Sequence, residues 1–238
     1  MAWESIKQNL LVKLAERIEQ RSDLEHRQDL HSLAKIFYGR FPPEDMRERS
    51  PENIYGCLYG LLRFMDGWQA DGPKVRIFNP EIQTHGWESK YTVLALLSKE
   101  MPFCVASVRG ELNRRNIKIH TIASCNLATR RDADGQLQQV LPADGAEEGQ
   151  SDESLMYFEI GRHSHPETLA ELRDTLTDIL NEVAIVVSDF PAVRKQLSNA
   201  MLVVRESGCV TQSHRDEAIK FLKWLESNHI TALGYEYL

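Results

Sequence analysis

The stretch from Lys90 to Asp132, KYTVLALLSKEMPFCVASVRGELNRRNIKIHTIASCNLATRRD, constrains the fold more than any other, because its hydrophobic period changes twice. Tyr91 to Leu97 is an apolar run of strand length. The loop Ser98 to Pro102 interrupts it. Phe103, Val105, Val108 and Leu112 then recur near helical spacing, with Arg109, Asn113, Arg114 and Arg115 between them. After Asn116 the period becomes two, with Ile117, Ile119, Thr121 and Ala123 on one face and Lys118, His120 and Ile122 opposite. Strand, loop, helix and long strand make the first half of a split βαβ unit.

A second half follows. Ser154 to Ile160 reads as a strand, with Met156, Phe158 and Ile160 facing one way. Ser164-His-Pro-Glu167 has the form of a capping box. The helix it opens carries Leu169, Leu172, Leu176, Ile179, Leu180, Val183 and Val187, and Asp189-Phe190-Pro191 is expected to break it. Another helix runs from Ala192 to about Asn199. Ala200 to Arg205 fits either the end of that helix or the last strand of the sheet. With Val75 to Phe78 as a short preceding strand, the order predicts an α+β, ferredoxin-like antiparallel sheet with helices on one face, over residues 73–205.

Residues 1–72 are expected to be helical. Trp3, Ile6, Leu10, Leu14 and Ile18 form one stripe, and Leu30, Leu33, Ile36 and Phe37 lie on a second helix that Phe41-Pro42-Pro43 stops. Ser50-Pro51 opens a third as N-cap and first position. Its Gly56 and Gly60 imply close packing against a neighbour, and Trp87, at the entrance to the main strand, reads as a packing residue. Residues 206–238 give a helix at Arg215 to Ser227 and a strand at His229 to Leu238. A strand with nothing after it to pair with suggests a longer polypeptide.

The formal net charge of −7 is local. Asp132, Asp134, Asp144, Glu147, Glu148, Asp152 and Glu153 fall in 132–153, which holds no Lys or Arg and reads as an acidic flexible loop. A neutral body with an acidic loop argues against nucleic-acid binding. No apolar run reaches the roughly 20 residues of a membrane span, and no secretory pattern opens the chain, so a cytoplasmic location is expected. Cys57, Cys104, Cys125 and Cys209 form no CxxC pair and read as buried reduced thiols.

No dinucleotide, phosphate-loop, zinc-protease or nucleophile-elbow motif is present in the sequence. His120, His163 and His165 read as capping or surface positions. Nothing places two carboxylates in one cleft, so no catalytic or metal-ligating residues are assigned. One location favours a ligand: backbone N–H groups of Phe103 to Val105 would point out of a helix N-terminus and could receive a carboxylate.

The runs PKVRIFNP (73–80), GWESKYTVLALLSKEMPFCVASVRGELNRRNIKIH (86–120), RRDADG (130–135), SLMYFEIGR (154–162) and DFPAVRKQL (189–197) closely resemble the N-terminal region of the large NAD-dependent glutamate dehydrogenases of bacteria. FYGRFPPEDMRERSPENIYG (37–56) resembles that family's lead-in, and FLKWLESNHITALGYEYL (221–238) its entry into the next regulatory module.

The resemblance implies an ACT-type module, a ferredoxin-like unit of amino-acid sensing and subunit contact, within an enzyme that converts L-glutamate and NAD to 2-oxoglutarate and ammonia. It implies no cofactor in this segment and NAD in a downstream catalytic domain. The implied partners are other domains of the same polypeptide, a homo-oligomer and a small amino-acid effector. Candidate effector-binding residues are Met101, Pro102, Phe103, Cys104, Val105 and Asn113. Where the family usually reads MPFLVDSV, this chain has Met101-Pro-Phe-Cys-Val-Ala-Ser-Val108. The acid is replaced by Ala106, which favours a structural or assembly role. The expected function is a non-catalytic regulatory or assembly segment. The alternatives are a stand-alone amino-acid sensor, a purely structural oligomerisation module and a complete small enzyme.

Overall fold

In a computed structural model that describes residues 2–21, 24–141, 150–209 and 211–229, the chain begins with α1 (Ala2–Arg21), α2 (Leu24–Gly39) and α3 (Pro51–Met65). The start of α3 follows its sequence signal. Ser50 is extended, its Oγ accepts the Asn53 N–H at 3.1 Å, and Pro51 takes the first helical position. Of the α1 stripe, Leu14 and Ile18 are buried while Ile6 lies at the surface. Lys7 is buried instead, because its ammonium donates to the Gly39 and Phe41 carbonyls at 3.1 and 2.8 Å, where α2 ends.

The sheet contains β1 (Lys74–Phe78), β2 (Thr92–Lys99), β3 (Ile119–Arg131), β4 (Leu137–Val140) and β5 (Ser151–Ile160). Its order is β1-β2-β5-β3-β4, antiparallel throughout. β5 lies between β2 and β3, which α5 (Cys104–Arg114) connects, so the split βαβ unit is present. The helix end that sets up β3 is a Schellman motif. Asn116 is left-handed at φ 56°, its N–H donates to Asn113 O, and the Ile117 N–H donates to Leu112 O. That use of Ile117 delays β3 to Ile119 and accounts for the two residues by which the expected strand began too early.

Both faces of the sheet are covered. Val93, Ala95, Leu97, Ala123, Cys125, Leu127, Leu155 and Tyr157 belong to one hydrophobic core with α1, α2 and α3. Leu94, Leu96, Met156, Phe158 and Ile160, on the opposite face by strand alternation, are buried as well. So are Val108 and Leu112 of α5 and Leu172, Leu176 and Leu180 of α6 (Pro166–Glu206). Arg115 ties α5 to α6, donating to Glu171 Oε1 and Thr175 Oγ1 at 3.0 Å each. Burial on two sides explains why β2 reads as an uninterrupted apolar run.

Several expectations are corrected. The 132–153 stretch is not one loop. Asp132 Oδ1 accepts the N–H groups of Asp134 and Gln136 at 3.0 and 2.9 Å, Gly135 turns at φ 76°, and β4 follows, paired with β3. Short polar β4 alternates too briefly to be legible. Ser151 to Glu153 belong to β5, and 142–149 lie outside the described residues. Helix α6 runs 41 residues through Pro191, and Ala200 to Arg205 are helical. Proline removes only the donor to the Val187 carbonyl, whereas helical pattern and propensity accumulate over many residues on each side. The helix begins at Pro166, with Leu169 N–H donating to His165 O at 3.3 Å, so the cap falls one residue after Ser164. Cys57, Cys104 and Cys125 are buried free thiols, but Cys209, past the end of α6, is exposed.

Two compact units are distinguished, residues 1–181 and 182–238. In the second, Thr211 caps α7 (Gln212–Trp224), which a π-helical turn at Leu225–His229 continues. The strand expected at His229 to Leu238 falls, apart from His229, outside the described residues. Among the described residues no helix is long and apolar enough to cross a membrane.

Candidate functional site

The loop singled out by sequence lies at the end of β2. Phe103 is the N-cap of α5 in the left-handed region, φ 72°, and the residue is 54% exposed. The Ser107 N–H reaches Phe103 O at 2.9 Å, so the N–H groups of Cys104, Val105 and Ala106 precede the first helical hydrogen bond. Cys104 is turned inward, and burial pushes its thiol up against the opposing effect of a hydrogen bond with Ser98. Met101 and Val105 are half-buried, while Pro102 and Ala106 are exposed. Asn113 is near the far end of α5, about 13 Å along the axis from Cys104 at a rise of 1.5 Å per residue. The loop residues are therefore together and Asn113 is apart.

A second site occupies the opposite end of β2. There, a cleft of about 770 Å³ is lined by the segment before α3, the approach to β2 and the adjoining ends of β3 and β5. Its base is an ion pair: Arg49 Nη2 donates to Glu159 Oε2 at 2.7 Å, with the Glu159 side chain 2% exposed. Tyr157 Oη donates to the other carboxylate oxygen at 2.7 Å. Arg49 Nε donates to the Asp45 carbonyl at 2.9 Å, and its guanidinium lies over the Phe41 ring at 4.8 Å. On one wall Tyr91 and His120 stack with ring centres 4.1 Å apart. Trp87, also a lining residue, is 3% exposed and packs against the Gly56 position, where an added Cβ would come within 2.6 Å of its own Cβ. The close packing expected at Gly56 and Trp87 is thus one contact.

Burial raises the Tyr157 hydroxyl well above the usual phenol range, with Cys57 and Glu159 adding to the shift. Burial likewise takes the Cys57 thiol up to about 12, against the pull of Arg49. Burial opposes the charge on Arg49, yet Tyr157 and Glu159 hold its pKa above the ordinary guanidinium value. Near neutrality the base of the cleft is one ion pair with neutral Tyr and Cys neighbours. Such an arrangement orients charges and offers neither a thiolate nor a phenolate as nucleophile. Among the described residues no group of three His, Cys, Asp or Glu side chains is placed to hold a metal ion.

A second buried Arg–Glu pair lies at the other end of β5. Arg131 Nε and Nη2 donate to the two oxygens of Glu153 at 2.7 and 2.9 Å, and Nη1 donates to the Met65 and Gly135 carbonyls at 2.9 Å each. Thr129 also donates to Glu153, and the guanidinium sits 5.4 Å from the Trp68 ring centre. Glu153, one of the seven acids of the expected loop, is a fully buried clamp residue.

Sequence reasoning placed neither Arg49 nor Glu159 in a site. A signal did exist for Glu159, since an acid inside the apolar run Leu155 to Ile160 must find a cation when buried. Its partner stands 110 residues away, in a polar run that names no particular arginine.

The family model described as glutamate dehydrogenase, ACT1 domain, matches residues 33–176. An NAD-specific glutamate dehydrogenase of Halomonas elongata is 37% identical over 238 residues, covering 99% of this chain and 15% of the relative. One from Pseudomonas aeruginosa is 34% identical over 205 residues, covering 86% of this chain and 13% of the relative. The chain therefore spans less than one sixth of the length of either relative.

Proposed function

The chain belongs to the glutamate dehydrogenase ACT1 domain family, and from that premise we propose that it is a non-catalytic regulatory and assembly segment of a large NAD-dependent glutamate dehydrogenase. In this reading the parent polypeptide oxidises L-glutamate with NAD to 2-oxoglutarate and ammonia in a separate domain, in the cytoplasm, as a homo-oligomer. The carrying observation is that the ACT1 family model matches residues 33–176 of a chain that covers only 15% and 13% of its two dehydrogenase relatives. The buried sheet supports the same reading, since its polar and ionic groups are tied to one another and to the helices around it. Glutamate-dependent NAD reduction by the purified chain is expected to be nil. Turnover that scales with protein concentration and survives repurification would sink the non-catalytic assignment.

Within that reading, an amino-acid effector would meet Met101, Pro102, Phe103, Cys104 and Val105 at the start of α5, with Asn113 contributing only if α5 is approached along its length. The exposed Phe103 ring and the N–H groups behind it support this placement. The exposed Ala106 offers no acid to an amino group, which favours assembly over sensing at this loop. Sedimentation of the chain across a concentration series tests assembly, and a strictly monomeric species at all concentrations would count against it.

A further inference from the structure

Helix α7 has no core of its own. None of its 13 side chains is buried, although it carries Ala218, Ile219, Phe221, Leu222 and Trp224. A helix of that length in water depends on apolar cover. The second half of α6 supplies part of it. Ser198 Oγ donates to Glu226 Oε1 at 3.3 Å and Arg215 Nη1 to the Ser207 carbonyl at 2.6 Å, so the two helices run antiparallel, with Val203 level with Lys220 and Phe221. Ile219 and Leu222 share a face of α7 with Arg215 and Glu226 and are half-buried. Val203, Phe221 and Trp224 remain exposed. Val203 is five residues beyond Ser198 and Phe221 five before Glu226, so about 140° of helix separates each from that hydrogen bond, and both lie on the other side of the hairpin. The Trp224 ring lies nearly parallel to that of Phe221, with centres 6.2 Å apart, and His229 stacks on Trp224 at 4.6 Å. The aromatic face is thus formed before anything binds to it.

Charge says what fits this face. Glu217 and Lys220 flank it, both exposed and neither with an ion-pair or hydrogen-bond partner among the described residues. Opposite charges three residues apart are self-complementary. Across a two-fold axis between them, antiparallel copies of α7 set each Glu217 against Lys220 of the other copy, whereas a parallel mate opposes like to like. We propose that the α6–α7 hairpin is the surface through which two copies of this chain pair, α7 antiparallel to α7, with Val203, Phe221 and Trp224 covered and the four helices forming a bundle. The inference rests on the assembly reading above and deepens it, because it places the contact outside residues 33–176, which the ACT1 model matches.

Sedimentation equilibrium of the intact 238-residue chain tests it. The chain should dimerise, and Phe221→Asp, at an exposed position the fold does not need, should weaken the dimer at least tenfold. Glu217→Lys and Lys220→Glu should each weaken it several-fold. An equimolar mixture of those two variants should pair more tightly than either alone, because the reversed charges then attract. Phe103→Ala, outside the hairpin, should leave the dimer unchanged. In the unsubstituted protein the Trp224 indole resonance should move as dilution separates the copies. A dimer indifferent to Phe221→Asp and to both charge reversals, a mixture no tighter than its components, or an unmoved Trp224 overturns this surface and leaves the assembly reading standing. A chain monomeric at every concentration overturns both and leaves the non-catalytic assignment untouched.

Discussion

The two ends of β5 carry the same pair of residues in different settings. At Glu153 the arginine is 8% exposed and spends four of its five N–H groups on the protein. At Glu159 the arginine is 17% exposed and spends two. The first is a closed clamp joining the end of α3, the β3–β4 turn and β5. The second is open on one side. A buried ion pair is therefore no guide to function until the unused valence of each partner is counted, because desolvation is offset only when the remaining donors are satisfied.

The largest effect is expected from Arg131→Met, which strands the fully buried Glu153 carboxylate and should cost about 3–5 kcal/mol in urea unfolding. Arg49→Met leaves Glu159 with the Tyr157 hydroxyl and access to water through the cleft, so its loss should be smaller, about 1.5–3 kcal/mol. Equal losses in parallel denaturation curves would erase the distinction between closed and open. Gly135→Ala sharpens the closed end. Gly135 turns at φ 76°, and an added Cβ would lie 2.6 Å from the Trp68 carbonyl oxygen. A loss of at least about 1–2 kcal/mol is expected from the left-handed backbone alone, and an unchanged melting temperature would refute it.

The smallest effect concerns Glu111 on α5, whose carboxyl is drawn down to about 2 from 4.5 by hydrogen bonds from Arg114 and Arg115. A depressed folded pKa adds stability above the unfolded value, and this is lost as pH falls from 4.5 through about 2. Glu111→Gln should flatten that acid limb relative to the unsubstituted chain, and superimposable profiles would show that the pair contributes nothing.

Legibility followed distance along the chain. Ser50-Pro51 at α3, the apolar run of β2 and the helical spacing of α5 are local patterns, and each appears where it was expected within a few residues. Pro191 was misread because a local rule was applied to one bond of a 41-residue helix. Arg131 and Glu153 were missed for the opposite reason. Glu153 follows the exposed Asp152 in an acid-rich run of sequence, and only the pairing of β3 with β5 brings a cation to it.

By itself, the sequence determined the α+β class, the split βαβ order and, through residue runs shared with a family, the kind of protein to which this segment belongs. Those properties reside in hydrophobic period and local capping, which neighbours along the chain decide. Tertiary structure alone decided that the sheet is sealed on both faces, that Glu153 is closed and that Glu159 opens on a cleft. Burial and unused hydrogen-bonding capacity are set by residues far apart in the chain, and no local pattern carries them.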